Sequence, residues 1–135
     1  MGAGANSTAV CIAGSALVAC SLVGGIVSVT SSVNTWSNAW TADATLAAPW
    51  PMVVVQTAAT WAATSRRQVL AVAGSAVLGL SAAVAGVSGF FDGQLGRPDL
   101  GTGYVAMQIV LVVVACATAV CAGLRLWKLR TRTEH

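Results

Sequence analysis

Residues 68–91 read QVLAVAGSAVLGLSAAVAGVSGFF and follow directly on Arg66 and Arg67. No Asp, Glu, Lys or Arg interrupts these 24 residues. A helix of about 20 apolar residues, rising about 1.5 Å per residue, crosses the roughly 30 Å hydrocarbon core of a bilayer. The stretch therefore reads as a transmembrane helix. Residues 104–127 carry the equally apolar core IVLVVVACATAV, and residues 8–30, TAVCIAGSALVACSLVGGIVSVT, are also uncharged. The weakest candidate covers 44–65 and contains Pro49, Trp50, Pro51 and Gln56, with Thr57, Thr60 and Thr64 adding polarity. Its prolines are expected in the first helical turn, where a missing N–H leaves no bond unmade. The reading is an all-α polytopic membrane protein: one domain over 1–135 with four transmembrane helices at about 8–30, 44–65, 68–91 and 104–127.

Composition excludes the other classes. Apolar residues make up 56% of the 135 and charged residues 8%, where a soluble domain carries about 25%. Disordered chains are instead poor in apolar residues and rich in charge. Ala is abundant, Arg outnumbers Lys six to one and Ile is scarce, a usage that a GC-rich bacterial genome produces. The plasma membrane of such a cell is the expected location.

Between the spans lie two outer connections. Residues 31–43, SSVNTWSNAWTAD, read as a loop or short interfacial helix carrying Trp36 and Trp40 at headgroup level. Residues 92–103, DGQLGRPDLGTG, form a Gly-rich turn with Asp92, Arg97, Pro98 and Asp99. Arg66 and Arg67 sit between spans two and three, and Arg125, Lys128, Arg130 and Arg132 close the chain. An even number of crossings separates the two clusters, so the positive-inside rule puts both in the cytoplasm together with both termini. Trp36, Trp40, Trp50, Phe90, Phe91 and Tyr104 then mark the outer interface, and Trp61 and Trp127 the inner one. The basic tail is expected to attract anionic phospholipids at roughly 1 kcal/mol per cation. Topology accounts for these charges, so no nucleic-acid partner is expected.

Two processing signals are set aside. Leu17-Val18-Ala19-Cys20 resembles a lipoprotein cleavage box, but residues 1–7 lack the Lys or Arg of a signal peptide. Met1-Gly2 resembles a myristoylation start, but position 6 is Asn.

Catalytic and cofactor chemistry find no motif. The one histidine is His135, the last residue. Cys11, Cys20, Cys116 and Cys121 follow C-x8-C and C-x4-C spacings, which form neither a redox pair nor a zinc cluster. Gly93, Gly96, Gly101 and Gly103 lack the Lys-Ser/Thr of a phosphate loop. No ionisable side chain lies in the middle of a span, where it would mark a proton or ion path. No catalytic residue, metal or cofactor is therefore expected, and the chain reads as a non-enzyme. A membrane thiol enzyme would need Cys11 and Cys121 to meet near the inner leaflet. Gln56 and Gln108 are the strongest polar groups within spans, read as interhelical hydrogen bonds or, on the alternative, as lining of a lipid or solute path. Asp92, Arg97 and Asp99 read as a solvated turn or, alternatively, a docking point on the outer side.

Lipid tails are as apolar as Leu, so membrane helices associate through close backbone packing, which small residues permit. Small residues recur at four-residue spacing: Ala16, Cys20, Gly24 and Ser28 in span one, Ala71, Ser75, Gly79 and Ala83 in span three, and Ala115, Ala119 and Gly123 in span four. These are the candidate helix-packing positions, toward this chain or another.

With its Ala/Val/Gly-rich spans, the Ser65-Arg66-Arg67 inner corner and the basic tail, the chain resembles small four-helix membrane proteins of actinobacteria. The resemblance implies an accessory, non-catalytic subunit of a larger plasma-membrane complex, such as a lipid importer of the mammalian-cell-entry type or a respiratory supercomplex. Its partners would be other integral membrane subunits. The alternative is a small homo-oligomeric lipid or solute carrier or channel.

Overall fold

The computed structural model describes residues 2–41, 46, 48–93, 97 and 99–131, with side chains from residue 6 onward. Their helices are α1 (Gly2–Thr30), α2 (Trp50–Thr64), α3 (Gln68–Phe91) and α4 (Thr102–Thr131). Helices adjacent in sequence pack side by side, and α4 closes the ring against α1; the α3–α4 interface is the largest. The start of α1, the α2–α3 corner and the end of α4 share one end of the bundle. Val10, Ala63 and Ala122 meet there in one apolar layer with Ala59 and Leu78. A second layer of Leu17, Ala82 and Ala115 lies further along the bundle.

The packing seam follows the helix period. On α4 the inward positions are Tyr104, Gln108, Leu111, Ala115, Thr118, Ala122 and Arg125, of which Leu111 is half-buried. On α1 they are Val10, Gly14, Leu17, Ser21, Gly24 and Ser28. Steps of four and three alternate, so each seam repeats every seven residues, as in a left-handed helical bundle.

What the seams hold inverts the usual order. Ser21, Ser28, Gln56, Thr60, Ser75 and Thr118 are buried, while Ile12, Leu80, Val87, Ile109, Val113 and Leu124 are exposed. Water would penalise such a surface, since large contiguous apolar patches are rare on soluble monomers. Three helices, α1, α3 and α4, are long and apolar enough to cross a membrane.

The second helix departs from expectation. It has 15 residues, about 22 Å at 1.5 Å per residue, short of a ~30 Å core. Within the expected span 44–65, Leu46, Ala48 and Pro49 are non-helical, while 44, 45 and 47 lie outside the described residues. Pro51 lies in the first turn, as expected, whereas Pro49 stands just before it at the cap. The physical reason for the short helix is local: the α region is disfavoured before a proline, and Ala48 precedes Pro49.

Described residues of the α1–α2 connection occupy part of the space beyond the short helix. Helix α1 ends in a Schellman motif: Val33 N–H donates to the Ser28 carbonyl at 3.0 Å and Ser32 N–H to that of Val29 at 3.0 Å. Ser32 stands in the left-handed region at φ 57°. The chain then runs through turns and folds back onto α1. The Trp50 N–H donates to the Trp40 carbonyl at 3.0 Å, closing the loop.

Two of the aromatic residues pack inside the chain. Tyr104, in the first turn of α4, is fully buried. Trp40 is half-buried, stacked between Trp36 and Trp50 at centroid distances of 6.3 and 6.2 Å. Trp36, Trp50, Phe90 and Phe91 at one end, and Trp61 and Trp127 at the other, are exposed.

Candidate functional site

Both glutamines singled out in the sequence are completely enclosed, and they sit in similar registers. Gln56 and Gln108 each lie six residues from the start of their helix, about 9 Å along the axis from the end that carries the α1–α2 and α3–α4 connections. Gln108 Nε2 donates to the Gly89 carbonyl at 3.0 Å and to both carboxylate oxygens of Asp92 at 2.8 Å. Three acceptors around one atom identify it as the amide nitrogen, since an oxygen there would be repelled. Gln108 Oε1 is buried and has no partner. Gln56 is buried with neither amide atom bonded, and Ser75 Oγ is likewise unmatched.

A cavity of about 360 Å³ opens beside Gln108. Ser21, Ser88, Asp92 and Gln108 supply its polar groups, and Leu17, Leu46, Pro49, Met52 and Leu111 are among its apolar walls. Its existence follows from the short second helix, because Leu46, Ala48 and Pro49 line it where a longer helix would run. Two glycines on α1 admit the folded-back connection. A methyl group on Gly24 would collide with the Leu46 carbonyl oxygen, and one on Gly25 would lie 2.5 Å from the Trp40 indole. Leu46 itself has φ 68°, the left-handed region that costs a side-chain-bearing residue about 1–2 kcal/mol.

Asp92 therefore has a role beyond the solvated turn expected of it. Its backbone caps α3, and its side chain is held by Gln108 across the α3–α4 interface. Arg97 and Asp99 behave as the turn reading expects. They pair with each other at 2.6 Å with half of each side chain exposed. The Asp99 hydrogen bond raises the Arg97 guanidinium pKa, and the Arg97 hydrogen bond lowers that of the Asp99 carboxyl.

At the opposite end the structure reassigns one tail cation. Arg125 is 8% exposed, and its Nε donates to the Ala63 carbonyl at 2.6 Å. That carbonyl belongs to the last turn of α2, whose final four C=O groups have no partner within their own helix. A guanidinium from α4 thus caps α2, where the helix dipole also favours a positive charge. The signal was present in the sequence: Arg125 follows Ala122 and Thr118 by three and seven residues, on the seam. Gln68 Nε2 adds a long bond to the Leu129 carbonyl at 3.5 Å. Arg66, Arg67, Lys128 and Arg130 share this end, and Arg132 lies outside the described residues.

The small-residue candidates divide. Gly24, Ser75 and Ala115 are buried; Ala16, Cys20, Gly79 and Ala119 are half-buried; Ala83 and Gly123 are exposed. A four-residue step turns a 3.6-residue helix by about 40° beyond one full turn, so a pure i+4 ladder winds off the seam. Gly79 faces Ala122, where an added methyl would meet the Ala122 Cβ at 3.4 Å, whereas Gly123 has nothing within 4 Å. Thr118, which no ladder included, donates to the Ala13 carbonyl of α1 at 3.1 Å.

The described residues contain no group of three or more His, Cys, Asp or Glu that could hold a metal ion. His135 lies outside the described residues. Cys11 and Cys116 are exposed, and Cys20 and Cys121 half-buried, all as free thiols. No protein-family model, curated protein or solved structure matches this chain.

Proposed function

We propose that the chain is a non-catalytic accessory subunit of a larger assembly in a bacterial plasma membrane, crossing it with both termini on the cytoplasmic side. The observation that carries this reading is the outward placement of Ala83 and Gly123 on the apolar surface, together with further exposed small residues such as Ala76 and Ala117. Gly123 has open space beside it, so nothing in this chain demands its small size. A flat strip beside Val120 and Leu124 lets the backbone of a neighbouring helix approach closely, which is how helices associate in lipid. The orientation is supported by charge: Arg66, Arg67, Arg125, Lys128 and Arg130 share one end of the bundle, and Arg97 lies at the other. The second helix serves as a partial span, sealed at its outer end by the folded-back connection. Irregular backbone is tolerated at membrane depth where protein covers it.

Extraction in a mild detergent at native abundance tests the proposal. The chain is expected to migrate with larger integral membrane subunits, and Gly123→Leu to release it. Migration of the wild-type chain alone overturns the reading. The alternative, a small lipid or solute carrier, is favoured by one observation, the cavity at Gln108. It requires flux into proteoliposomes that Gln108→Leu abolishes.

A further inference from the structure

We propose that the cavity beside Gln108 holds one hydrocarbon chain of a lipid with an uncharged polar head, the head lying toward the α1–α2 and α3–α4 connections. Its volume of about 360 Å³ falls in the ~300–1,000 Å³ range of small-molecule pockets. Burial shows where it opens. Leu17 and Ser21 of α1 are 1% and 2% exposed, whereas Val84 and Ser88 of α3, which also line it, are exposed on the apolar outside of the bundle. The half-buried Pro49 and Met52 stand on its α2 side. The cavity therefore runs from the outer flank of α3, beside the start of α2, into the interior. Its lining is ordered along the bundle axis. On α1, α3 and α4 the polar residue stands nearer the connections than its apolar neighbour: Ser21 beyond Leu17, Ser88 beyond Val84, Gln108 beyond Leu111. Each step of three or four residues spans about 4.5–6 Å of helix. The wall thus passes from polar to apolar toward the middle of the bundle, in the same sense as one leaflet of a bilayer.

An amphiphile fits such a cavity in one orientation. The apolar end suits neither an ion nor a hydrated solute, since apolar cavities stay dry. Left empty, it forfeits the dispersion contacts of its walls, and a hydrocarbon chain restores them. The polar end asks for no charge: Asp92 is already bonded to Gln108, and the Ser21 and Ser88 hydroxyls can each donate and accept. An ester or a hydroxyl, the groups at the glycerol level of a lipid, matches an edge of that kind. The same chemistry has two sources, an acyl chain of a bilayer phospholipid and a free monoacylglycerol. A bound chain requires a surrounding membrane but neither transport nor a partner subunit, so this site and the accessory-subunit reading can fail separately.

The test places the full chain in phosphatidylcholine nanodiscs with a phosphatidylcholine or a monoacylglycerol that carries a photoreactive diazirine in its chain, and maps the adducts by mass spectrometry. A diazirine at the chain terminus is expected to label Leu17, which is closed to lipid outside the bundle, and one beside the ester to label Ser21. The exposed Val113 reports labelling from the surrounding bilayer. Ala85→Phe, on the cavity wall, is expected to lower Leu17 labelling at least tenfold and leave Val113 unchanged, whereas Val87→Phe, on the exposed face of α3, changes neither; circular dichroism checks helix content. Leu17 labelled by the phosphatidylcholine probe assigns the chain to a bilayer lipid, and labelling by the monoacylglycerol alone assigns it to the free one. Unlabelled monododecanoylglycerol is expected to suppress the Leu17 adduct at a concentration at least tenfold below that of dodecane. Adducts confined to exposed positions overturn the proposal, as do a chain terminus that labels Ser21 in preference to Leu17 and equal suppression by monododecanoylglycerol and dodecane.

Discussion

Replacing Arg125 by Met removes a buried charge and the bond that caps α2, and the two consequences oppose each other. The bond is short and direct, Nε to the Ala63 carbonyl at 2.6 Å, and its donor is ionised. Hydrogen bonds to charged groups contribute about 1.5–3 kcal/mol, and a cation at a helix C-terminus adds about 0.3–1 kcal/mol. Against this, desolvating an isolated charge costs several kcal/mol, which is why a buried ion replaced by an apolar side chain sometimes stabilises a protein. Arg125 lies near the end of α4, six residues before Thr131, so its guanidinium is close to the polar boundary and much of that cost is avoided. The Ala63 carbonyl, by contrast, is fully enclosed, and Met would leave it without a partner. The bond should therefore prevail, and Arg125→Met is expected to destabilise the bundle by about 2 kcal/mol, roughly thirtyfold in the folding equilibrium. Reversible unfolding in mixed micelles, read by helical ellipticity, gives the number. Lys128→Met provides the exposed control, with a change within about 0.5 kcal/mol. An Arg125→Met protein as stable as the control, or more stable than wild type, would refute the reasoning and show that desolvation dominates.

Further expectations follow from the glycines, the amides and the helix end. Gly24→Val should cost about 1–3 kcal/mol by pushing the Leu46 carbonyl off α1, whereas Gly123→Ala, facing open space, should be neutral or stabilise by up to about 1 kcal/mol; both are read in the same unfolding assay. Gln56→Leu replaces two unmatched buried polar atoms by a side chain of similar size and is expected to leave stability unchanged or raise it by about 1 kcal/mol, so a marked loss would disprove the unbonded state of the amide. Ser32→Gly relieves a left-handed conformation at the end of α1 and should stabilise by roughly 0.5–1 kcal/mol; a decrease would show that the Ser32 side chain, not the backbone, holds the motif.

Several features were readable before any fold was known. The third span, 68–91, coincides with α3, because an uncharged apolar run bounded by Arg67 and Asp92 has few competing states. The prolines at the start of α2 also follow from local chemistry, whereas Gln56, expected to make an interhelical hydrogen bond, is enclosed with neither amide atom bonded. Harder to read were the outcomes that depend on which side of a helix faces in. The i+4 ladders mixed seam and lipid positions, because every outward residue of a membrane helix is also apolar or small. Ala83 and Ser75 look equivalent in the sequence, yet only Ser75 is buried.

Composition and charge spacing alone determine that this chain forms long apolar helices with most of its cations gathered at one end, since these are additive properties that each segment carries by itself. Only the tertiary structure decides that the second helix stops short, that the loop before it returns to rest on Gly24 and Gly25, that Arg125 caps a helix 62 residues away in the chain, and that Asp92 and Gln108 share the edge of a cavity. These depend on which surfaces meet. In lipid, where apolar side chains gain little from one another, close fit and the pairing of a few polar atoms make that choice.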